Sequence, residues 1–575
     1  MRLKRLYLIV VCAASITALS ACILFLSASY EDIIRLIITI SKKPYLENLL
    51  RTQVFPENKY VLARYVCIAT LLIIPLCAAL LLRYQQRIMD LFSFAFSSVQ
   101  QGYKKVKQVY QQNSKMQNTS IIVLLALIAA RSLYYIVQFD LQYDEMWSYN
   151  YFTAQPLYYS FVVCSNYPLY EISTGIFKYL PFDMRINIRL PVFIAGLLSC
   201  IVLYACLKAY FKHHVTALGG MIVFACMPVT TFYMLYARGV MFALFFAIVS
   251  IFSVLFWLRN KQQTTYLVVY AIASAAGVYS MPTNVYLCLI LFLLTLSASP
   301  IKGKSHILPF FLANTAVGLL SLLLYAPILV GSGVSFLYNA AVDTTSPRPS
   351  LNDIFNYHLS VSPFFTGYTA VLLVLIMIVL IAIAVSKQLQ QYWFIFSLCC
   401  CLYLLPVIIY FFQNVQLPLR SIAFVGLIIP LLYSIIIFLI RKAPHPLLVF
   451  FIILTGLGAG YISHKHEYLN WSRQLDTQVK ELAYLLMQHQ VSTCYANSTG
   501  TDLFYDYPAI EYYYKINNRP FTLTVAEQNS LRYKPFTVTD NYDCIINHLS
   551  DKTPDNYHEI YRDKDRNFKV LVAAK

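Results

Sequence analysis

Charge is what this chain has least of. Asp, Glu, Lys and Arg together make up 12% of its 575 residues, against about 25% in an ordinary soluble domain. Hydrophobic residues make up 59%, and the mean hydropathy is +0.60. Too little polar side chain is available to cover a water-soluble surface, which excludes a soluble globular protein and leaves an integral membrane protein with many spans. Acids are the scarcer sign, 26 against 44 basic residues, for a net charge of +18. No RNA- or DNA-binding motif accompanies that excess. Nucleic acid is therefore not an expected partner, and the positive charge reads as the mark of cytoplasmic loops. Metal-ligand spacing is missing among the 14 cysteines. Most, such as Cys399, Cys400 and Cys401, lie in apolar runs, where a thiol behaves as a small hydrophobe. Cys494 and Cys544 lie instead in a polar C-terminal region, where a disulfide stays open if that region faces an oxidising compartment. Internal repeats and low-complexity segments are absent as well.

What is present is a series of apolar runs. The first, near 6–28, follows MRLKR and resembles a signal peptide. It is longer than the roughly 7–15 residues of a leader's apolar core, so it reads as a first span. Further runs near 61–82, 119–138, 189–210, 216–235, 240–258, 265–281, 284–298, 308–330, 367–385, 393–412, 421–440 and 447–463 bring the expected count to about 13 spans. One alternating set of loops carries Arg2, Lys4 and Arg5; Arg83, Arg87, Lys104, Lys105 and Lys107; Lys212; Arg259 and Lys261; Lys302 and Lys304; Lys387; and Arg441 with Lys442. These loops are nearly free of acids and read as cytoplasmic. The other set, which includes 139–188, 331–366 and 412–420, carries the acids and reads as outward. The N-terminus is then cytoplasmic and the C-terminal region extracytoplasmic.

Three regions result. Residues 1–118 form an N-terminal extension with two spans and a basic loop, residues 119–463 a polytopic helical domain, and residues 464–575 a small α/β domain. In the last, WSRQLDTQVKELAYLLMQHQ reads as an amphipathic helix, and VSTCYAN, PFTLTV, YDCIINH, YHEIYR and NFKVLVAA read as strands. Two sequons begin at Asn470 and Asn497.

The stretch FDLQYDEMWSYNYF, residues 139–152, places Asp144 and Glu145 side by side as the chain leaves a span, among Tyr143, Trp147, Tyr149 and Tyr151. The rest of that outer loop, LYYSFVVC and LYEISTGIFKYL, reads as short amphipathic helices in the membrane interface. A carboxylate at the hydrocarbon boundary is costly without partners and marks a functional site by default; the bland alternative is an acid that caps the next helix. Arg131, Arg185, Arg189, Arg238 and Arg420 all fall on the outward side, against the positive-inside trend. Arginines at span ends commonly snorkel to headgroups. Several beside an acid pair suit a convergent anionic ligand, because the planar guanidinium fork matches phosphate. His213 and His214 read as solvated in a cytoplasmic turn. His464 and His466 lack a third ligand for a metal site. Asn284, after Pro282, marks a break near the outer surface.

The order of these features resembles the GT-C-fold glycosyltransferases that use lipid-linked sugars, nearest to glycosyltransferase family 39, the protein O-mannosyltransferase and aminoarabinose-transferase-like group. YDEMW stands where that family has an acid pair after its first conserved span. NYPLY, residues 166–170, stands at the family's His-Pro-Pro-Leu-Tyr segment, with Asn166 and Tyr167 in place of the His and first Pro. Arg189, Leu190 and Pro191 match an Arg-Leu-Pro that opens a span, and Ala237 and Arg238 match an Ala-Arg turn from which Gly239 and Met241 depart. Arg420 with Pro430 matches a late arginine opening a span, and Trp471 a tryptophan-bearing helix after the last one. The resemblance spans roughly residues 119–515.

It implies a polytopic α-helical GT-C fold and a polyprenyl-phosphate sugar donor. A lipid phosphate is already a good leaving group and needs cations more than an acid, while the acceptor hydroxyl needs a base. On that expectation Asp144 is the general base and attack inverts the anomeric centre. Glu145 orients the acceptor or holds an arginine. Arg238 and Arg420 hold the donor phosphate, with Arg189 a further candidate. Tyr143, Trp147, Asn166 and Tyr170 line the substrate. A divalent metal stays open as a cofactor. The expected partners are a polyprenyl-phosphate-linked sugar, an acceptor lipid, glycan or protein, and membrane lipids. The expected location is a bacterial inner membrane. The rival readings are a transporter or flippase of a lipid-linked glycan, argued against by charges gathered on one face without paired halves, an O-antigen ligase or polymerase, and an inactive member that binds a partner through its C-terminal domain.

Overall fold

The computed structural model describes residues 2–41, 51, 55–163, 165, 167–259, 263–297, 307–332, 350, 352–353, 356–357, 359, 376–380, 392–413, 417–440, 480–496, 507–525, 542–548, 554, 556–563 and 568–573. The chain divides into two compact units. One comprises residues 1–97, 486–504 and 519–575, the other residues 98–485 and 505–518.

In the first unit, α1 (Arg2–Ser27) packs along α3 (Glu57–Arg83), with α2 (Tyr30–Ser41) between them in sequence. Tyr60 ties the pair by donating its hydroxyl to the Ala28 carbonyl at 2.6 Å, and the rings of Phe25, Tyr30 and Phe55 pack around it. The same unit holds a five-stranded sheet of order β2-β1-β3-β5-β4, made of β1 (Thr493–Ala496), β2 (Thr522–Val525), β3 (Cys544–His548), β4 (Tyr557–Asp563) and β5 (Phe568–Ala573). β1 runs parallel to β2 and β3, while β5 runs antiparallel to β3 and β4. All five expected strands are present, as their β-branched and aromatic content requires. Cys494 and Cys544 are register partners on β1 and β3, with their sulfurs 3.1 Å apart as free thiols.

The described residues of the second unit are helical apart from turns and short connections. α4 (Gln85–Gln111) begins in the first unit, and its residues from 98 onward belong here. The basic segment expected as a loop is thus a continuous amphipathic helix carrying Lys104, Lys105 and Lys107. α5 (Lys115–Gln138) opens on a capping box, in which Ser114 accepts from the Gln117 N–H and Gln117 from the Ser114 N–H, each at 3.2 Å. Then come α6 (Tyr143–Ser148), a π turn over Tyr149–Thr153, the short α7 (Tyr159–Val162) and α8 (Pro168–Phe177). The last two fulfil the expectation of short helices in this loop. α9 (Met184–Phe211) is capped by Asp183, whose carboxylate accepts from the Arg185 N–H at 2.8 Å. At 28 residues it is roughly 42 Å long, enough to cross a bilayer core. It packs against α5, α8, α10 (His214–Cys226) and α12 (Val240–Arg259). α13 (Thr264–Ser280), α14 (Asn284–Ser297), α15 (Ile307–Ser332) and α16 (Trp393–Gln413) follow.

Two expected spans differ in form. The run 216–235 breaks into α10 and α11 (Pro228–Tyr233), with Met227 extended at φ −61°, ψ 142°. Pro228 supplies no N–H to continue the helix and pushes the preceding residue out of helical geometry. The run 421–440 starts as a 3₁₀ segment, Leu419–Leu427, kinked at Ile422, before α17 (Ile428–Ile440). Among the described residues seven helices are long and apolar enough to cross a membrane, and four shorter apolar helices accompany them. The expected span at 447–463, Trp471, His464 and His466 lie outside the described residues, and the span at 367–385 is described only over 376–380.

Candidate active site

α5 ends at Gln138 and the chain turns at once into α6, which delivers the two acids in consecutive positions. Neighbours on a helix point about 100° apart, so Asp144 and Glu145 face different partners. Glu145 is fully buried. Its Oε1 accepts from Arg189 Nε at 2.8 Å and the Ala237 N–H at 2.6 Å. Its Oε2 accepts from Arg189 Nη2 at 2.6 Å and the Gln142 N–H at 2.8 Å. Arg189 also donates Nη1 to the Ile136 and Phe139 carbonyls and Nη2 to the Asp140 carbonyl. A guanidinium has five N–H donors, and here each has an acceptor, which leaves none for a phosphate. Glu145 therefore holds an arginine, one of the two roles expected of it, and the pair locks the end of α5, the start of α6, α9 and the turn before Arg238 into one piece.

Asp144 faces the other way. Its Oδ1 lies 2.6 Å from Arg238 Nη2 and its Oδ2 2.8 Å from Arg420 Nη1. The two arginines differ in access: the Arg238 side chain is 7% exposed, that of Arg420 41%. Burial alone raises the Asp144 carboxyl, but the Arg238 and Arg420 charges outweigh it and hold the group below its ordinary value. The Arg238 guanidinium sits between aromatic faces, 5.4 Å from the Tyr167 ring centre and 6.0 Å from that of Trp147. Trp147 thus packs under the phosphate-binding candidate. Tyr167 and Gly239, two departures from the family pattern, touch one another. A Cβ on Gly239 would fall 2.8 Å from Tyr167 Cβ and 3.1 Å from the Ser280 carbonyl oxygen. The large side chain in place of a proline is accommodated by the missing one across from it.

Sequence reasoning missed Glu171. It lies one turn into α8, is fully buried, and accepts from Ser165 Oγ at 3.3 Å on Oε1, while Oε2 lacks a hydrogen bond of good geometry among the described residues. Burial pushes its carboxyl up to about 8, against the pull of the Arg238 charge and the hydroxyls of Ser148 and Ser165. The only sequence signal was its place after NYPLY, in a helix with little other charge. Tyr170 corrects an expectation. It is fully buried with its hydroxyl donated to the Ile188 carbonyl at 3.3 Å, so it braces α8 against α9 and does not line a substrate surface. Asp140 pairs with Arg185 at 3.0 Å and Lys480 at 2.9 Å, an outer ring of charges beside the clamp. Arg131 donates to the Ala225 carbonyl at 3.5 Å. Tyr143 opens α6, and Asn166 lies outside the described residues. Among the described residues no three His, Cys, Asp or Glu side chains converge as a metal-ligand set.

A family model described as dolichyl-phosphate-mannose-protein mannosyltransferase matches residues 168–331. No curated protein matches this chain by sequence. Among solved structures, ArnT from Cupriavidus metallidurans in the apo state has a TM-score of 0.56 at 10% identity, covering 79% of this chain and 98% of that one. ArnT of the same organism bound to undecaprenyl phosphate has a TM-score of 0.56 at 11% identity, covering 80% and 98%. The GT-C fold and the family-39 resemblance read from the sequence both hold, and the chain is an integral membrane protein built on that fold.

Proposed function

We propose that this chain, with its GT-C fold, is a membrane glycosyltransferase that moves a sugar from a polyprenyl-phosphate donor to a hydroxyl acceptor at the outer face of the membrane. The observation that carries the reading is the Asp144 carboxylate held between Arg238 and Arg420. Undecaprenyl phosphate bound to an ArnT of the same fold supports a lipid phosphate as the donor's leaving half.

The charge balance of the clamp suggests an order of events. With two guanidiniums on it, Asp144 is a stable anion and a weak base. A donor phosphate entering past the more exposed Arg420 competes for both arginines. As their hydrogen bonds move to phosphate oxygens, Asp144 loses the charges that depressed its pKa and gains basicity where the acceptor hydroxyl arrives. The acceptor oxygen then bonds to the anomeric carbon as its proton passes to Asp144. The bond from that carbon to the phosphate oxygen breaks, and the electron pair leaves with polyprenyl phosphate, whose growing charge Arg238 and Arg420 stabilise. Attack opposite the leaving group inverts the anomeric centre. One carboxylate suffices, where a typical glycoside hydrolase needs two. Glu145 and Arg189 act through positioning.

The test is transfer from radiolabelled polyprenyl-phosphate hexoses in nanodiscs, comparing the wild type with Asp144→Asn and Arg238→Ala. Turnover in the wild type, lost in Asp144→Asn with donor binding retained, supports the reading. A wild type that neither binds nor turns over any donor, with candidate acceptors present, rejects it in favour of transport.

A further inference from the structure

At the ends of α9 and α12 away from the carboxylate–arginine clamp, the second unit forms an open cleft of about 550 Å³. Its walls come from α4, α9, α12 and α13, and Val106, Val202, Phe252 and Val269 represent their apolar character. On α4 the lining residues Val99, Gly102, Tyr103, Val106 and Val109 fall at the spacing of one helical stripe. At Gly102 this stripe comes close to α13, where an added Cβ would meet Val269 Cγ2 at 3.8 Å. Elsewhere on α4, Phe92 and Phe96 are 68% and 73% exposed. A helix with a bare apolar face, in a chain that spans a membrane, lies against lipid.

Three cations stand on the lining: Lys105, Lys212 and Arg259. Lys105 donates to the Tyr266 hydroxyl at 2.7 Å and to Gln263 at 3.2 Å, and lies 4.0 Å from the centre of the Tyr266 ring. Arg259 donates to the Tyr210 carbonyl and stacks 5.0 Å from the Tyr210 ring centre. Lys212, exposed at the C-cap of α9 in the left-handed region (φ 55°), has no side-chain partner among the described residues. None of the three has an ion-pair partner among the described residues, and no acid lines the cavity. Lys212 and Arg259 sit at helix ends and Lys105 within the last two turns of α4, all in segments that the charge pattern places on the cytoplasmic side, where basic pockets between spans meet anionic headgroups.

We propose that this cavity binds one anionic glycerophospholipid, with an acyl chain between α4 and α12 and the headgroup phosphate held by Lys105, Lys212 and Arg259. The occupant is a bilayer lipid and not the glycosyl donor, because Arg189 and Lys212 are separated by 23 residues of α9, roughly 35 Å of helix. The lipid completes the packing of α4 against the helical bundle, which gives the N-terminal extension a role independent of the transfer chemistry.

Native mass spectrometry of the full-length protein, with phosphatidylglycerol or phosphatidylcholine added stepwise, tests this. The wild type retains phosphatidylglycerol in preference to phosphatidylcholine. The preference falls about fivefold for each cation removed, in Lys105→Gln and Lys212→Gln. Val106→Trp, which puts an indole into the cavity where the acyl chain lies, weakens retention of lipid of either kind. A wild type without preference, a preference unchanged in the lysine variants, or full retention by Val106→Trp overturns the proposal. Undecaprenyl phosphate displacing phosphatidylglycerol at equal concentration overturns it too, by making the site a donor or product site.

Discussion

At the scale of residues, the clamp on Asp144 separates roles that adjacent sequence positions could not. Asp144→Asn is expected to lower kcat by roughly 10²–10⁴-fold, the range for a lost general base, while donor binding measured by scintillation proximity persists. Arg420→Ala, at the exposed side of the clamp, is expected mainly to raise KM for the donor. Arg238→Ala, with its buried guanidinium, is expected to lower kcat and stability together. Glu171 gives a pH signature. Its carboxyl stays protonated in the folded protein up to about pH 8 but ionises near 4.5 when unfolded. Between those values the unfolded chain binds fewer protons, so this group makes stability fall as pH rises. Glu171→Gln cannot ionise, and its melting temperature in detergent is expected to be flatter across that window than the wild type's. An identical slope in both proteins would remove Glu171 as its source. Sequence reasoning singled out Asp144, Arg238 and Arg420, which the fold brings into contact, but gave no hint of Glu171, because a buried acid and a loop acid look the same in one dimension.

At the scale of elements, the Glu145–Arg189 pair is the joint of the second unit. It bonds α6 to α9 and, through backbone carbonyls, to the end of α5. Glu145→Ala leaves a buried guanidinium uncompensated and is expected to cost about 3–5 kcal/mol, read as a drop in melting temperature larger than that of Asp144→Asn. If Glu145→Ala melts like the wild type while losing activity, Glu145 belongs to the chemistry after all. The turn that carries Arg238 has its own constraint. Gly239→Ala presses a methyl against Tyr167 Cβ and a backbone carbonyl, neither of which can rotate away. Overpacking of this kind costs about 1–3 kcal/mol, and the displaced Arg238 is expected to lower transfer as well. The elements were legible where periodicity is strong: the long spans, the five strands and the short helices of the outer loop. They were misjudged where a single residue overrides an apolar run, as Pro228 does between α10 and α11.

At the scale of the whole molecule, the long helices keep two sets of cations apart. Arg189 and Lys212 lie toward opposite ends of α9, and Arg238 and Arg259 flank α12. This is the separation that the loop charges imply, and it makes the orientation testable. Alkaline phosphatase fused after residue 180 is expected to be active outside the membrane and green fluorescent protein fused after 213 to fluoresce inside; the reverse pattern would invert the topology and with it the face of transfer. Membrane residence was determined by the sequence alone, because it follows from hydropathy and charge, which are sums over local segments; the alternation of the spans and the outward face of the acid pair are expectations from the same sums, and the fusions test them. Which acid is buried against Arg189 as a joint and which is held between Arg238 and Arg420 was decided only by the tertiary structure. So were the loss of Arg189 and Tyr170 to bracing, the contact that matches Tyr167 to Gly239, and the cavity beneath α4. Each depends on residues tens to hundreds of positions apart meeting within a few ångströms, and no local property of the chain encodes that meeting.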